Sequence, residues 1–123
     1  MVTGGAAGIG AAIARSFAAH GADVLAADIE PIDGLDFDPA AGGSINAVEW
    51  DVREGSCPPE LVEHRPDVLV NNVGHYLQPP HAFATNSPAL WDELHNINFA
   101  HILRLTHALL PGMTERGRGR SST

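Results

Sequence analysis

The first ten residues restrict the fold more than any other part of the chain. Met1-Val2-Thr3 is an apolar stub, and Gly4, Gly5, Gly8 and Gly10 follow just before an alanine-rich stretch. Phosphate oxygens need backbone N–H groups at close range, and residues without bulky side chains let them approach. Glycines at the mouth of a helix supply that access, and the helix N-terminus adds favourable electrostatics. A phosphate loop of the kind closed by Gly-Lys does not fit, because all seven basic residues are Arg and none is Lys. The six-residue G-x-G-x-x-G does not fit either, since Gly4, Gly8 and Gly10 fall as G-x-x-x-G-x-G.

Downstream periodicity is that of an α/β unit. Ile9, Ile13 and Phe17 recur every four residues and share one helical face, with alanines filling close contacts. Gly21 stands where a helix C-cap is wanted, and residues 22–28 then read as a short buried strand ending in Asp28. Residues 29–44, rich in Pro, Asp and Gly, read as loop. A weak strand is expected over 45–50, a short helix over 58–64 and a clear strand over 67–70. The segment 75–86, with breakers at Pro79-Pro80, reads as loop. Ser87-Pro88 has the pattern of an N-cap followed by proline at the first helical position, with Asp92 and Glu93 in the early turns. The helix is expected to run to Leu110, about 35 Å at about 1.5 Å per residue, with Pro111-Gly112 stopping it. Its apolar residues, among them Leu94, Phe99, Leu103 and Leu109, cover more than one face, which predicts burial on two sides.

Thr3-Gly4-x-x-x-Gly8-Ile9-Gly10 resembles the short-chain dehydrogenase/reductase family, and three further motifs follow in the family's order. Asp51-Val52 is similar to its acid–apolar pair after the third strand. Asn71-Asn72-Val73-Gly74 resembles N-N-A-G at the end of the fourth strand. Trp91, Asn98, Thr106 and Leu110-Pro111-Gly112-Met113 resemble its fourth helix. The resemblance, to the classical type, runs from residue 2 to about residue 119 and covers only the front half of a family member. It implies a doubly wound parallel sheet with strand order 3-2-1-4, the first strand clipped and strands five to seven absent. Residues 1–123 then form one incomplete dinucleotide-binding domain.

The resemblance also implies roles. Gly4, Gly8, Ile9 and Gly10 would form the cofactor turn, Asp51 and Val52 would hold the adenine, and Asn72 and Gly74 would border the cofactor ribose. On residue type alone Asn98 is a polar surface residue. The resemblance makes it a catalytic-tetrad member that orients a water in a proton relay. Asp28, 18 residues after Gly10, can accept hydrogen bonds from the adenosine ribose hydroxyls and would repel a 2′-phosphate. With no basic residue at Ala7 or beside Asp28 in the sequence, NAD is favoured over NADP. The expected partners are the dinucleotide and, in a full-length relative, a small alcohol or ketone. Pairing of copies through the helix 88–110 is a further expectation.

The family's Tyr-x-x-x-Lys pair is missing: the single Tyr is Tyr76, and no Lys exists to pair with it. Ser121 and Ser122 lack the apolar strand that would aim a catalytic hydroxyl. His95, His101 and His107 are six residues apart, each about 240° around a helix from the last, so they are not expected to share a metal. A net charge of −8 argues against nucleic acid and anionic membranes. The lone Cys57 and the lack of a leader or a long apolar run point to a cytoplasmic protein. Three readings stay open: the NAD-binding portion of a dehydrogenase/reductase, an inactive nucleotide-binding or pairing module, and a shortened, non-functional product of marginal stability.

Overall fold

The computed structural model describes residues 1–38, 42–77 and 83–123. Its elements are β1 (Val2–Thr3), α1 (Gly8–Ala19), β2 (Asp23–Asp28), β3 (Ser44–Glu49), α2 (Pro59–Glu63), β4 (Val68–Val70), α3 (Pro88–His95), α4 (His101–Glu115) and β5 (Arg120–Ser122). A 3₁₀ turn, Phe83–Thr85, precedes α3, and a π-turn, Asn96–Ala100, joins α3 to α4. The strands form one parallel sheet in the order β3-β2-β1-β4-β5. The expectation around Pro79-Pro80 lies outside the described residues.

β2 shows why the sheet is covered on both faces. Val24 packs with Val2, Ala14 and Ala18 beneath α1, while Leu25 and Ala27 pack on the other face with Leu61, Leu69, Leu105 and Leu109. Alternate residues of one strand thus serve two apolar layers, as a parallel sheet between helices requires.

Four expectations need correction. A fifth strand is present: β5 pairs with β4, so the outer edge of β4 is covered. At one end the Arg120 N–H donates to the Asp67 carbonyl, and the Asp67 carboxylate meets Arg116 and Arg118 in the turn leading into the strand. At the other end the Asn71 amide donates to Ser121 Oγ and the Ser122 carbonyl. Ionic and amide anchors replace the apolar residues whose lack hid this strand.

The second correction concerns α1. Its inward face is Gly10, Ala11, Ala14 and Ala18, whereas Ile9 is 73% exposed and Phe17 is also exposed. Small residues fill this inward face, and the turn before α1 is equally close to β2: a Cβ on Gly5 would lie 2.8 Å from the Ala26 Cβ.

Third, Pro111 does not end its helix. α4 runs on to Glu115, because Met113 continues the buried stripe of His101, Leu105 and Leu109. Burying such a side chain contributes about 2 kcal/mol, comparable with the roughly 3 kcal/mol that an interior proline costs. The helix closes instead at Gly117 (φ +66°), where Arg118 N–H reaches back to the Met113 carbonyl.

Fourth, only one side of this helix is buried. Leu103 (56% exposed), Phe99 and Leu110 face outward. Ser87 does cap α3, accepting from the Leu90 N–H at 3.2 Å. Among the described residues no helix is long and apolar enough to cross a membrane.

Candidate functional site

β1 has β2 on one side and β4 on the other, so the chain changes winding direction at its carboxyl end. Ligands of open parallel sheets sit in the crevice at such a switch point. Here the crevice is a cavity of about 550 Å³ whose walls include Gly4, Asp28, Asp51, Val52, Asn72 and Gly74. Six of the expected site residues therefore meet in one place, brought there by the ends of four strands and the turns after them.

The floor is tied together by Thr3, a fully buried hydroxyl. Thr3 Oγ1 accepts from the Asn72 N–H at 3.0 Å and from the Val73 N–H at 3.4 Å. Asn72 in turn donates its amide to the Gly4 carbonyl at 3.2 Å, which bridges the β1 and β4 turns. Gly4 adopts φ +67° and Gly8 φ +55°, the left-handed region in which a Cβ is strained. Gly10, Gly8 and Ile9 do not line the cavity. Gly10 works from behind it: a Cβ there would fall 1.9 Å from the Gly4 carbonyl oxygen. No side chain caps the N-terminus of α1, which leaves its first N–H groups unclaimed by side chains.

Asp28 is oriented by the backbone: its Oδ2 accepts from Ala6 N–H at 2.9 Å and its Oδ1 from Glu30 N–H at 3.1 Å. The fold also brings a cation that adjacency in sequence did not show. Arg53 lines the same cavity, but its guanidinium is engaged by Asp51 through Nε and Nη2. That hydrogen-bonded pairing holds the Asp51 carboxyl below its ordinary range. Val52 and Trp50 are buried and close the same end.

Asn98 stands outside the cavity on the π-turn. Its Oδ1 accepts from the His75 N–H and its amide donates to the His75 carbonyl, each at 2.9 Å, with a third bond to the Leu94 carbonyl. It clamps the backbone just after Gly74; a Cβ on Gly74 would lie 3.3 Å from Asn98 Oδ1. Tyr76, two residues beyond, is 82% exposed. Of the three helical histidines, His101 is fully buried and His95 packs against Phe99. Thr3, Trp50 and Arg53 were missed as site residues. Thr3 carried a signal, a hydroxyl in a buried strand, and Arg53 carried none beyond following Asp51-Val52.

A glycine turn, an acid at the end of the next strand and a crevice at the switch point define a nucleotide-binding α/β protein of the Rossmann type. The residues fit a dinucleotide, since the Gly4 backbone borders the cavity without a side chain and the Asp28 carboxylate, fixed by two backbone N–H groups, stands at the end of the next strand. The family model described as short chain dehydrogenase matches residues 1–121, and the chain belongs to that family, whose members use NAD(P). It is 33% identical to D-xylose 1-dehydrogenase of Caulobacter vibrioides, over 97% of this chain and 49% of that protein. It is 32% identical to the NADP-dependent 3-hydroxy acid dehydrogenase YdfG of Salmonella typhi, over 97% of this chain and 50% of that protein. Among solved structures, a metagenomic short-chain oxidoreductase in complex with NADP superposes with a TM-score of 0.77 at 31% identity, covering 98% of this chain and 58% of that one. The chain spans about half the length of the curated relatives it matches.

Proposed function

We propose that this chain is the NAD-binding portion of a short-chain dehydrogenase/reductase acting between a secondary alcohol and a ketone. The observation that carries the reading is the orientation of Asp28, whose carboxylate is fixed by two backbone N–H groups at the cavity wall. Both its oxygens keep lone pairs for the ribose hydroxyls, and a 2′-phosphate would meet a fixed negative charge. Gly4 and the open N-terminus of α1 would face the pyrophosphate, and Asp51 with Val52 the adenine. Asn72 and Gly74 would border the nicotinamide ribose. The positions of Gly8, Ile9 and Gly10 serve by shaping the turn. Arg53 does not reverse the preference, because Asp51 already engages it.

When bound, the nicotinamide supplies hydride exchange. The residues of this chain bind and orient it and hold the loop at His75 through Asn98, the tetrad position. No Tyr–Lys pair stands among these 123 residues, so proton transfer to the substrate oxygen is not assigned to them. The outward face with Phe99, Leu103 and Leu110 suits pairing with a second copy, and the single thiol suits a reducing cytoplasm.

Titration with NADH and NADPH tests the reading, following quenching of Trp50, which lines the cavity. NADH is expected to bind at least about tenfold more tightly, and Asp28→Ala to shrink that ratio toward one. Equal or tighter binding of NADPH by the unaltered chain refutes the NAD assignment.

A further inference from the structure

The helix that carries Asn98 also reaches the opposite wall of the cavity. Arg104, half-buried on α4, donates from Nη2 to the Val52 carbonyl at 2.9 Å and to Asn96 Oδ1 at 2.8 Å. Asn96, in the π-turn, donates its amide to the Arg53 carbonyl at 3.3 Å. Two successive carbonyls of the loop after β3 are thereby tied to the helix. The residue before them is Asp51, whose Oδ1 accepts the Arg53 N–H at 2.9 Å. The Asp51 carboxylate is thus held by Arg53, through its N–H and its guanidinium, and the helix fixes the backbone on which Arg53 sits.

The sheet order says which part of a dinucleotide lies there. Moving outward from β1, the glycine turn comes first, Asp28 at the end of β2 second, and the loop after β3 third. With the ribose at Asp28, the base it carries points to the β3 side. Asp51 stands there, both its oxygens shared with Arg53, so an exocyclic amino group of the base would take an acceptor position from the half-exposed Arg53 guanidinium.

We propose that Arg104, acting with Asn96, is a positioning residue for adenine recognition, holding Asp51 in register with the base. The inference rests on the cofactor reading above and adds a specificity element remote from the glycine turn. It also assigns the π-turn a purpose: Asn96 fixes the adenine wall, and Asn98, two residues on, fixes the loop at His75.

The test compares NADH with reduced nicotinamide hypoxanthine dinucleotide, in which a carbonyl replaces the adenine amino group. The unaltered chain should favour NADH by about tenfold, the worth of one charge-assisted hydrogen bond. Arg104→Gln should bring the ratio close to one, and Arg104→Lys, which keeps a donor for Val52, should restore most of it. Equal loss of affinity for both dinucleotides, or no change in either, overturns the inference, because a merely structural role would not move the ratio. Should Arg104→Gln fail to fold, Asn96→Ala carries the same comparison with the guanidinium left in place. An unaltered chain that binds neither dinucleotide overturns the cofactor reading itself, and the adenine role with it; that outcome is distinct from an unchanged ratio.

Discussion

Replacing Gly10 with alanine pits two effects against each other, and the geometry decides which wins. Gly10 lies in the first turn of α1, and alanine there removes backbone freedom from the unfolded chain, a gain of about 0.5–1 kcal/mol. Against this, the new Cβ would lie 1.9 Å from the Gly4 oxygen, 2.8 Å from the Gly4 carbonyl carbon and 2.6 Å from Asn72 Nδ2, where ordinary contact begins at 3.4 Å. The obstacle is backbone, so no rotamer relieves it; helix and turn must part, which also stretches the 3.2 Å bond from Asn72 to Gly4. Overpacking typically costs about 1–3 kcal/mol, and the lost bond adds about 1 kcal/mol. The net expectation is destabilisation by about 3 kcal/mol, or a fall in Tm of roughly 12 °C. Urea unfolding followed by circular dichroism measures it, the midpoint dropping by about 1.5 M for a slope near 2 kcal/mol/M. Gly8→Ala is the internal control. Its φ of +55° makes alanine strained, but nothing lies within 4 Å, so the cost should be about 1 kcal/mol. If Gly10→Ala unfolds at the same midpoint as the unaltered chain, or is the more stable of the two variants, the packing argument for this turn is wrong.

The face of α1 that meets the sheet can be read the same way. Ala14→Leu should destabilise by about 1–3 kcal/mol, while Ile9→Ser stays within about 0.5 kcal/mol, and the same urea titrations rank them. His101 sets a pH dependence: burial, helped by the Arg104 charge, lowers its pKa below the ordinary 6.5. The unfolded chain then takes up a proton that the fold resists, so stability falls as pH drops from about 6.5 toward the lowered value. His101→Leu should flatten that part of the stability profile, and an equally steep profile in the variant would refute the assignment.

Much of this fold was legible because its signals are local. The glycine spacing at 4, 8 and 10, the acid closing residues 22–28 and the Ser87-Pro88 cap each specify a backbone event within a few residues, and each stands where its pattern places it. The missed features depend on residues distant in sequence. β5 is a strand because Asp67 and Asn71 hold it, and no reading of Arg120-Ser121-Ser122 alone contains those partners. Pro111 is overruled by Met113 finding the apolar layer under β4, and Ile9 is exposed because Gly10, Ala11, Ala14 and Ala18 take the inward face of α1. The candidate site divides similarly. Asp28, Asp51 and Asn72 were nameable from strand ends, whereas the bond from Arg104 to the Val52 carbonyl and the clamp of Asn98 on His75 emerge only when separate segments converge.

The π-turn at Asn96–Ala100 fits an extra residue into one helical turn. An ordinary helix advances about 100° per residue, so deleting one position here would restore regular winding and swing everything before it around the axis by about that angle. Asn96 and α3 would turn away from the β3 loop, while the buried stripe from His101 to Met113 kept its seat on the sheet. Length at this point is thus a setting in its own right. Two relatives differing by a single residue between Trp91 and His101 could share every side chain of the core and still aim their asparagines in different directions.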